Sequence, residues 1–225
     1  MALTIALLGG ESSGKTTLAQ ALHRHLQEVL NIPTLLVSEQ LRHWCAAMGR
    51  APHAEEQAAR AEEQTRQIEA ACQQPGVRIV IADTTALVIA AYSELYFNDR
   101  SLHPAALAQQ RRCDLTLLMG LDLPWVADGL FRDSAAVREA TDAVLRRELQ
   151  GAGIPFQTVY GQGEARLQQA LRIVGNALGE TLVASDPAWP QGRRPWNCEK
   201  CSDSDCEHRL FTQLIEQQHA GGKAP

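Results

Sequence analysis

The chain of 225 residues carries 21 Lys and Arg against 26 Asp and Glu, a net charge of −5, with 45% hydrophobic and 21% charged residues. That length and apolar content suffice for a domain with a buried core. The acidic balance, with lysine only at 15, 200 and 223, lacks the clustered cations that non-specific nucleic-acid binding needs.

No apolar run approaches the ~20 residues that cross a bilayer, and Gly9, Gly10 and Glu11 cut the first such run short of a secretory signal. The expectation is a cytoplasmic protein with neither a nucleic-acid nor a membrane partner. In that setting the separated cysteines Cys45, Cys72 and Cys113 read as reduced residues.

The first apolar run, Leu3–Leu8, reads as a buried strand and leads into Gly-Gly-Glu-Ser-Ser-Gly-Lys-Thr-Thr, residues 9–17. The spacing Gly9-x4-Gly14-Lys15-Thr16, between a strand and a helix predicted over 15–30, is that of a phosphate-binding loop. Backbone N–H groups of Gly9, Gly10, Glu11, Ser12, Ser13, Gly14, Lys15, Thr16 and Thr17 can wrap nucleotide phosphates, aided by the helix dipole. Lys15 supplies positive charge to the β- and γ-phosphates, and the Thr16 hydroxyl is a ligand for Mg²⁺.

A second strand, Thr34–Val37, is followed by Glu39, where a small-molecule kinase would bring up its acceptor alcohol; a carboxylate there can orient the hydroxyl and take its proton. The alternative is a solvated loop glutamate. Arg42, three residues on, suits either Glu39 or a substrate group.

After a helix over 54–73, the run 77–82 forms a third strand closed by Asp83. Its carboxylate either joins Thr16 at Mg²⁺, as a Walker B-type acid does, or caps the helix predicted over 85–96. A helix over 104–111 and a strand over 115–119 follow.

Asp-Leu-Pro-Trp-Val-Ala-Asp-Gly-Leu-Phe-Arg-Asp, residues 122–133, then interrupts the pattern. Pro124 and Gly129 break regular structure among bulky Trp125 and Phe131, as in a lid that excludes water over a substrate. Arg132, with Arg138 second, becomes the candidate to stabilise charge on a moving phosphoryl group; the alternative is core aromatics and solvated arginines.

A helix over 135–149, a strand over 156–159 and a helix over 164–178 complete the series. Such an alternation of apolar strands and helices predicts an α/β fold, a parallel sheet covered on both faces, with binding groups at the carboxyl ends of the strands. The expected division is a domain over 1–182, with its lid at about 122–138, and a Cys-rich extension over 183–225.

The extension contains Cys198-x2-Cys201-x4-Cys206-x-His208, a candidate closed, structural zinc set of three thiolates and one imidazole. Reduced surface cysteines or a redox pair at Cys198 and Cys201 are the alternatives. The extension is also a candidate site for a protein partner.

Residues 7–22 together with Val-Ile-Ala-Asp-Thr-Thr (80–85) and the 114–133 segment resemble the ribosylnicotinamide kinase domain of bacterial NAD-salvage regulators, the NadR-like P-loop kinases. The resemblance spans about residues 3–180. It implies a three-layer P-loop NTPase sandwich with a five-stranded parallel sheet and a central phosphate-loop strand. It further implies Mg²⁺- and ATP-dependent phosphorylation of the 5′-hydroxyl of nicotinamide riboside.

Carried over residue by residue, the resemblance puts Glu39 and Arg42 in the acceptor pocket, Asp83 by Mg²⁺ and the acceptor, and Trp125, Asp128 and Arg132 in the lid. Three departures stand out. Thr85 replaces a family aspartate, Phe131 separates Leu130 from Arg132, and Gln40 replaces a family tyrosine, for which Trp44 is the candidate substitute.

Other readings stay open: a kinase for another nucleoside-like alcohol, or a nucleotide-dependent switch acting through a partner. A switch has no need of an acceptor carboxylate such as Glu39. GTP specificity would usually bring an Asn/Thr-Lys-x-Asp motif, which the sequence lacks.

Overall fold

The computed structural model describes residues 2–126 and 134–183. Contacts divide the chain into two units, residues 1–182 and 183–225; all that follows concerns the first. Asp128 and Arg132 of the expected lid and the proposed zinc set Cys198, Cys201, Cys206 and His208 lie outside the described residues.

Five strands form one parallel sheet: β1 (Leu3–Leu8), β2 (Thr34–Val37), β3 (Ile79–Asp83), β4 (Leu115–Met119) and β5 (Gln157–Val159). Their order is β2-β3-β1-β4-β5, so the strand that feeds the phosphate loop is central. Ile5, Leu7, Leu8, Ile79, Ile81, Leu117 and Leu118 are fully buried, as strands covered on both faces require. Register pairs Leu7 with Asp83, which sets the Asp83 carboxylate at the carboxyl edge of the sheet, two residues from the start of the loop.

Among the described residues seven α-helices surround the sheet: α1 (Lys15–Arg24, extended by a π-helical turn His25–Val29), α2 (Gln40–Met48), α3 (Gln57–Cys72), α4 (Ala86–Phe97), α5 (His103–Gln110), α6 (Ala135–Gly151) and α7 (Gly163–Leu178). One layer packs α1 and α7 together, with α1 against β1–β3 and α7 against β4 and β5; in the other, α3 and α4 pack together and α4 also meets α5 and α6. Helix α4 is buried from Ala86 through Ser93, the pattern of a helix that is apolar all round.

Among the described residues no helix is long and apolar enough to cross a membrane. Cys45, Cys72 and Cys113 are free thiols; burial pushes Cys113 up to about 12.

Three sequence expectations change. The sequence reading assigns no element to 40–48, where the structure has helix α2: Leu41, Trp44, Cys45 and Met48 follow the spacing of one helical face and Gly49, at φ 67°, provides a left-handed stop. The third strand runs from Ile79 and includes Asp83, because Leu7 pairs with it. The cap of α4 is Thr85, whose hydroxyl accepts from the Leu87 amide at 3.3 Å, so Asp83 is not needed there.

On the outer side of α4, Glu94 is held by His103 Nε2 at 2.7 Å and by both oxygens from Arg147 at 2.8 and 2.6 Å. Arg100 and Arg147 each reach Glu148 at 2.8 Å. This clamp joins α4, α5 and α6. Its two carboxylates are already balanced by two guanidiniums, which makes it a structural tie.

Candidate functional site

The loop between β1 and α1 is held in shape by its own polar groups. Ser13 Oγ donates to the Gly10 carbonyl at 2.7 Å, and Lys15 Nζ donates to the same carbonyl at 3.0 Å. Two buried arginines lie behind it, one bonded to the loop and one packed against Gly10. Arg166, on α7, donates to the Ser13 carbonyl at 2.7 Å and to Asp122 at 3.0 Å, while Arg138, on α6, donates to the Leu123 carbonyl at 2.7 Å.

These contacts explain two of the glycines. A Cβ on Gly14, which sits at φ +80°, would come within 2.8 Å of Arg166 and of Leu123, and one on Gly10 would come within 2.9 Å of the Arg138 carbonyl. Burial pulls the Arg166 guanidinium below its ordinary range, against the charge and hydrogen bond of Asp122. The expectation that Arg138 faces a moving phosphoryl is corrected: its side chain is buried, bonds the Leu123 carbonyl and lies against Gly10.

A cleft of about 550 Å³ opens over this loop and is lined by Glu11 through Thr17, by Glu39, Leu41, Arg42 and Cys45 around α2, by Ala51, Pro52 and Gln57, and by Tyr92, Tyr96 and Phe97 of α4. Glu39 occupies the N-cap position of α2 without a capping side-chain bond and is one of the residues that line the cleft. The Cys45 thiol is pushed up by burial, and by the Glu39 charge second.

The cleft therefore brings together Glu11, Ser12, Ser13, Gly14, Lys15, Thr16, Thr17, Glu39 and Arg42 from the sequence-derived set. Gly9 and Gly10 lie beneath it, against Met119 and Arg138. Asp83 is buried at 3% exposure, and its Oδ1 has no hydrogen-bond partner. Asp83 is not among the cleft-lining residues, but a bare buried carboxylate oxygen is costly unless something pairs with it, and the oxygen chemistry of Asp83 and of the Thr16 hydroxyl fits a hard cation.

Two aromatic expectations change. Trp44 stands outside the cleft lining, with Arg50 and Arg60 over its ring at 4.9 and 5.5 Å. Two cations hold that indole in place, and it does not substitute for the missing tyrosine. Trp125 is half-buried and also outside the lining; its neighbour Val126 accepts from Ser12 Oγ at 2.7 Å, which ties the start of the lid segment to the loop.

The aromatic wall instead comes from α4. Tyr92 and Tyr96, one helical turn apart, have ring centroids 6.2 Å apart and inclined at 53°. The one-turn spacing was readable in Tyr-Ser-Glu-Leu-Tyr-Phe; what the sequence does not say is which cavity that face meets. Arg166, 153 residues from Ser13, carries no local signal at all.

The segment after β3 is strained. Thr84 has φ +80°, which a β-branched side chain avoids, and it is buried. Thr85, where the resembled kinases carry an aspartate, turns its hydroxyl to Gln110 Oε1 at 2.7 Å. It is absorbed into the core and offers the cleft nothing.

The family model for an AAA domain matches residues 4–166. Among solved structures, the chain is similar to NadR protein in complex with NAD and AMP-PNP, at 20% identity and a TM-score of 0.66 over 82% of this chain and 52% of that one. It is similar to NadR protein in complex with NR at 22% identity and a TM-score of 0.66, over 82% of this chain and 54% of that one. The fold is that of those NadR structures, a NadR-like P-loop α/β fold, and the chain spans about half the length of those NadR chains. No curated protein matches the sequence.

Proposed function

The chain belongs to the AAA domain family, and from that premise we propose that it is an ATP-dependent small-molecule kinase whose acceptor is nicotinamide riboside. The observation that carries the reading is the shared cleft: a phosphate loop on one side, and Glu39, Arg42, Tyr92, Tyr96 and Phe97 on the other, within about 550 Å³. A volume of that order suits a nucleoside-sized ligand. The aromatic face of α4 suits a flat ring, and NadR protein has been solved with NR bound.

In this reading Lys15 exchanges the Gly10 carbonyl for phosphate oxygens, and the loop amides neutralise charge as it builds on the γ-phosphoryl. Glu39 orients the acceptor hydroxyl and accepts its proton as the new oxygen–phosphorus bond forms and ADP leaves. Thr16 and Asp83 are the residues that would hold Mg²⁺, which when bound neutralises phosphate charge. The aromatic wall excludes water, so that the phosphoryl group meets the alcohol.

Purified protein incubated with Mg²⁺, ATP and nicotinamide riboside should yield a riboside heavier by one phosphate. No riboside-dependent turnover, with ATP still bound, overturns the assignment of this acceptor. The loss of the family aspartate at Thr85 supports a second acceptor class, another ribosyl alcohol, to be tried next in the same tube.

A further inference from the structure

The two carboxylates of the proposed reaction, Glu39 and Asp83, sit on separate loops after β2 and β3, and a third element joins them. Gln64 lies on the inner face of α3, in line with the buried Ala61, Ile68 and Ala71, and is fully buried. Its Oε1 accepts from the Gln40 amide at 2.9 Å. Its Nε2 donates to the Ser38 carbonyl at 3.4 Å and to the Thr84 carbonyl at 3.2 Å. One side chain thus grips the residues on either side of Glu39 and the residue after Asp83.

The geometry points to Gln64 as the positioning residue of the site: it fixes the acceptor carboxylate and the metal-side carboxylate relative to each other. This rests on the kinase reading for its catalytic consequence. A primary amide suits the task because it presents one acceptor and two donors in a plane, and the bonds it makes here run to backbone atoms, whose positions set where the neighbouring side chains start. The Thr84 bond has a second effect. Thr84 holds a left-handed backbone that its β-branched side chain opposes, and such a conformation persists only where the surroundings over-determine it.

Without Gln64 the backbone at Thr84 is free to relax toward negative φ, which would swing the Asp83–Thr84 peptide. A peptide shift near 1 Å in a phosphoryl-transfer site is worth about 10²-fold in rate. Binding of ATP on the loop, which Gln64 does not touch, should be spared.

Hydrogen exchange and steady-state kinetics on the full chain test the assignment together. Gln64→Met keeps bulk and removes all three bonds. It should speed exchange about tenfold or more in peptides spanning 38–42 and 83–88 while leaving those of β4 and β5 unchanged. Gln64→Glu keeps the acceptor for the Gln40 amide and should open 83–88 more than 38–42.

The kcat of Gln64→Met should fall by about 10²-fold, with KM for ATP within about twofold of wild type. Exchange that is unaltered in both peptides, or raised equally across the sheet in both variants, overturns the assignment. So does unchanged kcat in a variant whose two loops have opened. The exchange arm needs no substrate: a wild type that phosphorylates nothing while Gln64→Met still opens both loops removes the kinase reading and leaves Gln64 as the link between them.

Discussion

The two walls of the cleft are built in different ways. The loop side is one contiguous stretch, residues 11–17, which in the proposed reading meets phosphate mostly through backbone amides and whose shape is set by Gly10, Gly14 and the arginines behind them. The opposite side, the acceptor side of the proposed reaction, is assembled from residues on α2, the segment before α3 with the first residue of α3, and α4, spread over 39–97. Backbone recognition is written into a short motif because every residue in it contributes the same N–H. Side-chain recognition depends on how helices pack, and identity at each position is free to change with the acceptor.

Mutation should separate the walls. The largest effect is expected for Lys15→Ala, which removes charge from the loop and should lower kcat by about 10²–10³-fold, with far-UV circular dichroism unchanged. A variant that turns over normally would break the assignment of the phosphate side. Glu39→Gln keeps shape and removes the base; kcat should fall by about 10²-fold while KM for ATP stays put, the split that distinguishes the acceptor wall from the loop.

Behind the loop, Arg166→Met takes the guanidinium donor from the Ser13 carbonyl and from Asp122 Oδ1, while Asp122 Oδ2 keeps the Gly161 amide. It should cost about 1–3 kcal/mol in urea unfolding and weaken ATP without altering selectivity among acceptors. Tyr96→Ala, at an exposed end of the aromatic wall, should raise acceptor KM about three- to tenfold and leave ATP affinity unchanged. A loss of ATP binding there would contradict the division between the walls.

The smallest effect concerns acid. Burial alone would raise Glu94 and Glu148, but for Glu94 the hydrogen bonds from Arg147 and His103, and for Glu148 the hydrogen bond and charge of Arg147, outweigh it and hold both below the usual carboxylate range. A depressed folded-state pKa stabilises the fold above the unfolded value of about 4.3. That contribution is lost as pH falls through the folded value. The melting temperature of wild type should therefore drop more steeply below about pH 4.3 than that of Arg147→Met.

The sheet was legible because parallel strands buried on both faces are short apolar runs with clear ends. Leu3–Leu8, Thr34–Val37 and Leu115–Met119 need no context to be seen. Helix α2 carried a readable apolar period that competed with the expectation of a loop beside Glu39. The Trp44 expectation failed for a physical reason: a flat ring beside a pocket is equally at home between two guanidiniums. Arg166 and Gln64 act on residues far away in sequence, and pairings of that kind exist only once the chain has folded.

The central claim is that the two walls act on one reaction, passing phosphate from the loop to an alcohol held against α4. The direct measurement is the stoichiometry of ADP, phosphorylated alcohol and inorganic phosphate when nicotinamide riboside and other ribosyl alcohols are offered with Mg²⁺ and ATP. One phosphorylated riboside per ADP and little free phosphate are expected. ADP matched by free phosphate, at a rate no alcohol changes, would contradict that claim.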